Sequence, residues 1–175
     1  MRHVALVLTV LCASYCLTAH ASFAQTAKVD SVTQYLYAKG CGAYFRGDVK
    51  QAVEWFRQCF DREKKNPSLK KDDFFVLVNW FGSAYGEMHK LDSAEQVFRY
   101  GLAKDPTVPM IYYNLACTYS ERGNLDSCLT FLRATYRYKA NWDKHVTFPD
   151  PMKDDEFKRF YDNKKFVDAV KQMKQ

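Results

Sequence analysis

Gly82-Ser83-Ala84-Tyr85, followed by Leu91-Asp92-Ser93-Ala94, Phe98, Gly101 and Pro106, is the stretch whose reading decides the fold. The same order of small, aromatic and turn residues returns at Leu115-Ala116-Cys117-Thr118-Tyr119, then Gly123-Asn124-Leu125-Asp126-Ser127-Cys128 and Leu132. A looser copy comes earlier, at Gly40-Cys41-Gly42-Ala43-Tyr44-Phe45-Arg46-Gly47-Asp48, with Ala52, Phe56 and Cys59 behind it. Gly82 and Ala116 stand 34 residues apart; Gly40 and Gly82 stand 42 apart, one such period plus an eight-residue insertion around Pro67 to Phe74. Self-similarity at a fixed period marks a chain of stacked supersecondary units, each unable to bury its apolar face alone.

The units run 33–66, 75–108 and 109–142, with a charged insertion at 67–74. Small residues fall at positions 8 and 20, an aromatic near 11, Phe or Leu at 24 and, in the second unit, Pro106 at 32. This pattern resembles the tetratricopeptide repeat. The copies depart from it in places: Ala43 stands at position 11 with Tyr44 beside it, Lys64 at the first unit's 32, Cys128 at 20 and Thr135 at 27 of the third. The resemblance implies an all-α fold. Three helical hairpins would stack into a right-handed α-solenoid, with small residues at 8 and 20 letting paired backbones approach and large ones at 4, 7, 11 and 24 filling the rest.

Local chemistry agrees. Pro109 suits the first position of a helix, where a missing N–H costs nothing. Asp48 and Asn124 are placed to cap second helices. Gly47 and Gly123 fall where the chain must turn through positive φ, and His89 takes that place in the second unit. Phe74-Phe75-Val76-Leu77-Val78 alone reads as a buried strand, but the register of Gly82, Tyr85 and Ala94 requires a helix there. A stack of hairpins leaves an apolar end, and residues 143–175 are suited to cover it. The run Asp154-Asp155-Glu156-Phe157-Lys158-Arg159-Phe160, with Phe166 beyond, resembles a tail that closes bacterial tetratricopeptide proteins, and two short helices are expected, at about 153–161 and 163–173.

Composition narrows the function. Gly and Pro number only 7 and 5 in 175 residues, too few for the turns of a sandwich or barrel. The net charge of +6 comes from 26 basic and 20 acidic residues interleaved along the chain, a solvated mixed surface that gives no reason to expect nucleic acid as a partner. Met1-Arg2-His3, the apolar run Val4 to Leu17 and the small-residue sites Ala19-His20-Ala21 and Ser22-Phe23-Ala24 have the three-part layout of a cleavable signal peptide, 1–24. A secreted or periplasmic protein with no membrane span after cleavage is the expectation. The mature chain keeps only His89 and His145, in different regions, so a zinc hydrolase site has no ligand pair. Without a phosphate loop or nucleophile elbow either, neither enzyme activity nor a cofactor is expected. Cys59 and Cys128 fall at packed positions and read as buried thiols; the compartment permits Cys117–Cys128 or Cys41–Cys59 bridges, but position 9 turns toward the groove, away from the second helix, and position 27 sits near the other end of the hairpin.

In the family resembled, first helices line a concave groove through positions 2, 5, 6, 9, 12 and 13. None of the eighteen residues at these places here is Lys or Arg, which argues against gripping a peptide's terminal carboxylate and for binding that depends weakly on salt. The groove candidates are Tyr37, Tyr44, Asn79, Trp80, Ser83, Tyr113, Asn114 and Cys117; Tyr37, Asn79 and Tyr113, all at position 5, are expected to form a line for an extended peptide. The function implied is a non-enzymatic adaptor holding a protein or peptide partner; the alternative is a structural subunit whose repeats are buried in a larger envelope assembly. Mass spectrometry of protein from its native host should find a mature start at Gln25 or Ser22. An intact Met1 form in the membrane fraction would contradict the leader.

Overall fold

The computed structural model describes residues 30–175. The expected leader, 1–24, lies outside them. The described residues hold helices and no strand: α1 (Ser31–Phe45), α2 (Val49–Lys65), α3 (Lys71–Glu87), α4 (Leu91–Lys104), α5 (Pro109–Glu121), α6 (Leu125–Arg137) and α7 (Lys164–Met173), with 3-10 turns at Lys139–Asn141 and Asp155–Phe160. They pair as three hairpins, α1/α2, α3/α4 and α5/α6, each packed on the next, and the C-terminal segment closes on the third. Among these helices none is long and apolar enough to cross a membrane.

The local signals act as physics requires. Asp48 and Asn124 accept the N–H groups of Gln51 and Ser127, and Asp30 and Asn163 cap α1 and α7 the same way. Gly47, His89 and Gly123 carry φ of 77°, 54° and 72° at the three hairpin turns. Phe74 to Val78 is helical. Its apolar residues split between Leu77 and Val78, fully buried, and Phe74, Phe75 and Val76, which are not.

Inside each of the first two hairpins a glycine meets an aromatic ring. A Cβ on Gly40 would lie 2.4 Å from Phe56, and one on Gly82 would lie 2.3 Å from Phe98. Such distances are well inside van der Waals contact, so these helices approach at a spacing only glycine allows opposite Phe. The third hairpin has Ala116 and Leu132 at the same two positions, both fully buried.

The linker between the first two hairpins is shorter than the sequence suggests. Residues 71–74, part of the expected insertion, form the first turn of α3, and only 66–70 connect the helices. Glu63 organises this link. Its side chain is 3% exposed and accepts the Ser68 hydroxyl at 2.8 Å, the Ser68 N–H at 2.9 Å and the Leu69 N–H at 3.2 Å. A buried carboxylate is tolerable because its oxygens are so bonded.

The buried side chains form two clusters. One runs from Leu36 through α4 and takes Ile111 and Leu115 from α5; the other joins Tyr113 and Ala116 of α5 to α6, Phe157, Phe160, Phe166 and Val170. Helix α5 therefore belongs to both. A polar network also ties its end to α4. Glu95 accepts the Tyr119 hydroxyl at 2.7 Å and Arg99 Nε at 2.6 Å and pairs with Arg122, which also meets Asp92. Burial pushes the Glu95 carboxyl up, but the bonds from Arg122, Tyr119 and Arg99 outweigh it and hold it down at about 2. The stability this lends is complete above the ordinary carboxylate range and is lost as pH falls toward 2.

The C-terminal segment is anchored by side chains and backbone together. Phe157 and Phe166 are wholly buried; Ser120 donates to the Glu156 carbonyl at 2.6 Å and Arg159 to the Glu121 carbonyl at 2.7 Å. Phe157→Ala should cost roughly 3–5 kcal/mol and lower the melting temperature by many degrees. A chain ending at Asn141 should expose the second cluster and aggregate; a truncated chain that stays monomeric and melts like the full one would contradict the capping role.

Candidate functional site

Successive first helices stand side by side, so their exposed residues make a continuous face. The C-terminal halves of α3 and α5, with Tyr44 at one end and Asp154 and Glu156 at the other, enclose a solvent-open cleft of about 510 Å³. Five of the eight candidates line it: Tyr44, Ser83, Tyr113, Asn114 and Cys117. Asn79 and Trp80 border a second, more apolar depression of about 840 Å³, between the N-terminal halves of α3 and α5 and the Trp142–Val146 segment. Tyr37 lines neither, being half-buried against the first core cluster. The Tyr44 and Trp80 rings, 5.0 Å apart, link the two depressions, and Phe45, 72% exposed, packs on Trp80 at 5.4 Å.

Position 5 does not form an open line. Asn79 accepts a 2.6 Å bond from Asn114 of the next hairpin. Tyr113 is 8% exposed, lies 5.6 Å from Phe157 and donates its hydroxyl to Asp154. Burial and then that bond push the Tyr113 phenol far up, so it stays protonated as a donor. Position 5 faces along the stack, toward whatever follows: the next hairpin for Asn79, the C-terminal segment for Tyr113. Tyr113 and Asn79 are therefore held in packing and hydrogen bonds between units, not lined up in the open for an extended peptide.

The cleft's electrostatics come from four carboxylates outside the eight candidates. Glu87 and Glu121 share position 13 of successive units, and Asp154 and Glu156 arrive from the C-terminal segment. Glu87 accepts from the Tyr44 hydroxyl, and Glu121 contacts His89 Nδ1. Partial burial, then the charges of Asp154, Glu121 and Asp155, raise the Glu156 carboxyl. Burial, then Asp154 and Glu156, push the Cys117 thiol well up, which favours the neutral thiol over the thiolate. Among the described residues Cys41, Cys59, Cys117 and Cys128 are free thiols, with Cys59 and Cys128 fully buried. The shared position of Glu87 and Glu121 was readable from the repeat register. Nothing in the sequence said which helix Asp154 and Glu156 would face.

With this geometry, the likenesses to known proteins become specific. A tetratricopeptide repeat model matches residues 97–130, a window one period long covering the end of α4, all of α5 and the start of α6. No curated protein matches the chain. Among solved structures it is similar to the crystal structure of PcrH from Pseudomonas aeruginosa, with a TM-score of 0.56 over 87% of this chain and 99% of that one, at 16% identity. At that identity the likeness shows the fold. The chain contains a tetratricopeptide repeat and folds as an all-helical solenoid.

Tyr113→Ala should behave as a core substitution, lowering the melting temperature by an amount comparable with Phe157→Ala, on the order of 3 kcal/mol. A melting temperature unchanged by Tyr113→Ala would return this side chain to the open face.

Proposed function

We propose that this protein is a non-enzymatic adaptor, exported from the cytoplasm, that holds a segment of a protein partner in its concave cleft. The observation that carries the reading is the convergence of Tyr44 from α1, Ser83 from α3 and Asn114 and Cys117 from α5 on one solvent-open cleft. A surface assembled from successive repeats suits an extended segment, because each repeat meets a further stretch of it. Repeat solenoids of this kind present such surfaces on a rigid frame, and here the frame is stiffened by two core clusters and a closed end.

Gly86 provides the test. A Cβ at this helical residue would meet nothing within 4 Å, and the residue lines the cleft. A larger side chain therefore fills the cleft without disturbing the core. Gly86→Leu should keep the fold and melt no lower than wild type, Leu favouring a helix more than Gly, while affinity capture from an envelope extract should lose its partner only in the variant. A partner retained at full strength by Gly86→Leu would move the binding surface out of the cleft.

A further inference from the structure

The cleft has a sign that the whole molecule does not. The chain carries a net charge of +6, yet four carboxylates, Glu87, Glu121, Asp154 and Glu156, surround one cavity. Among the described residues Glu87, Asp154 and Glu156 form no ion pair, and Glu121 meets only His89. The nearby Arg159 is tied to the Glu121 main-chain carbonyl at 2.7 Å and not to a carboxylate. The carboxylates thus face the cleft without cationic partners, and burial, with the charges of Asp154, Glu121 and Asp155 behind it, raises the Glu156 carboxyl.

Two further features point to a ligand. Gly86 sits within α3, where glycine costs about 1 kcal/mol relative to alanine, and no packing contact demands it. Its effect is to leave the cleft wall bare, so that another chain can approach the backbone. At the same end, the Tyr44 hydroxyl donates to Glu87, and the exposed Phe45 ring packs edge-on against the Tyr44 ring, 6.4 Å between centroids. Aromatic faces beside carboxylates favour a planar, delocalised cation that can stack and donate together, which describes guanidinium better than ammonium.

We propose that the cleft's occupant is an extended, arginine-bearing segment of a partner protein, its guanidinium groups meeting Glu87, Glu121 and Glu156 and lying against Tyr44. The assignment rests on the adaptor reading and adds to it the chemistry of the partner. It reverses the expectation of weak salt dependence, because the sequence-level absence of Lys and Arg in the groove leaves these carboxylates unopposed. Attraction of this kind steers encounter and weakens as salt screens it.

The probe is a fluorescently labelled extended peptide of alternating Arg and Ala, compared with its citrulline and Glu counterparts by anisotropy. Citrulline keeps the shape of arginine and removes its charge. The arginine peptide should bind, the citrulline peptide roughly tenfold or more weakly and the glutamate peptide not at all, with affinity falling as salt rises. Glu87→Gln with Glu156→Gln, isosteric and checked for unchanged helicity, should weaken the arginine peptide by roughly tenfold, two part-exposed charge pairs being lost. Glu54→Gln, on an exposed face of α2, should change nothing. Equal binding of arginine and citrulline peptides, or no effect of the double change, overturns the proposal. If Gly86→Leu abolishes partner capture while the double change and salt leave it intact, the adaptor reading stands and the arginine assignment fails; if Gly86→Leu also leaves capture intact, both fail.

Discussion

The rest of the structure depends on how closely two helices can lie. In the first two hairpins that distance is set by a glycine opposite a phenylalanine, Gly40 with Phe56 and Gly82 with Phe98. The ring occupies the space a Cβ would need, and the ring itself is fully buried. Close pairing packs the two helices of each hairpin, and the stacked hairpins set α1, α3 and α5 beside one another. The contact therefore underlies the face that α1, α3 and α5 share as well as the core. The third hairpin reaches the same end with Ala116 and Leu132, a larger residue on one helix answered by a smaller one on the other. What is kept is total volume at the crossing, as close-packed interiors require.

The C-terminal segment does two jobs at once. Phe157, Phe160 and Phe166 cover the apolar end of the stack, and the same turn delivers Asp154 and Glu156 to the cleft. Asp154 joins the roles physically. Its carboxylate accepts from Tyr113 beneath it, and its carbonyl accepts from Tyr161 at 2.8 Å. The wall of the candidate site is thus held by the contacts that close the core. A site built this way has its charged groups on rigid elements, which limits the conformational entropy lost when a partner docks.

Much of this was legible from the chain alone, and the reason is the repeat. A period of 34 multiplies weak local signals, so the strand-like Phe74–Val78 could be read as helix, and the positive φ at Gly47, His89 and Gly123 followed from the turn each must make. Volume at positions 8 and 24 was legible for the same reason. The linker was not: the buried acceptor Glu63, which folds 66–70 into a short connection, looks in sequence like one more charge in a charged stretch. Nor was the direction of position 5. Repeat numbering says that Tyr113 lies on the first helix, but its burial depends on where a tail some 40 residues later comes to rest. The acidic character of the cleft escaped for that reason too, since half of its carboxylates belong to that tail.

The most direct measurement is a double-mutant cycle on the second hairpin, with stability read by urea denaturation. Gly82→Ala alone should overpack the crossing and destabilise by about 1–3 kcal/mol. Phe98→Leu alone should destabilise by leaving a cavity. Together they recreate the Ala and Leu of the third hairpin, so the pair should be distinctly more stable than the sum of the single effects predicts. Strict additivity of the two changes, or a Gly82→Ala protein as stable as wild type, would contradict the claim that this close approach sets the fold.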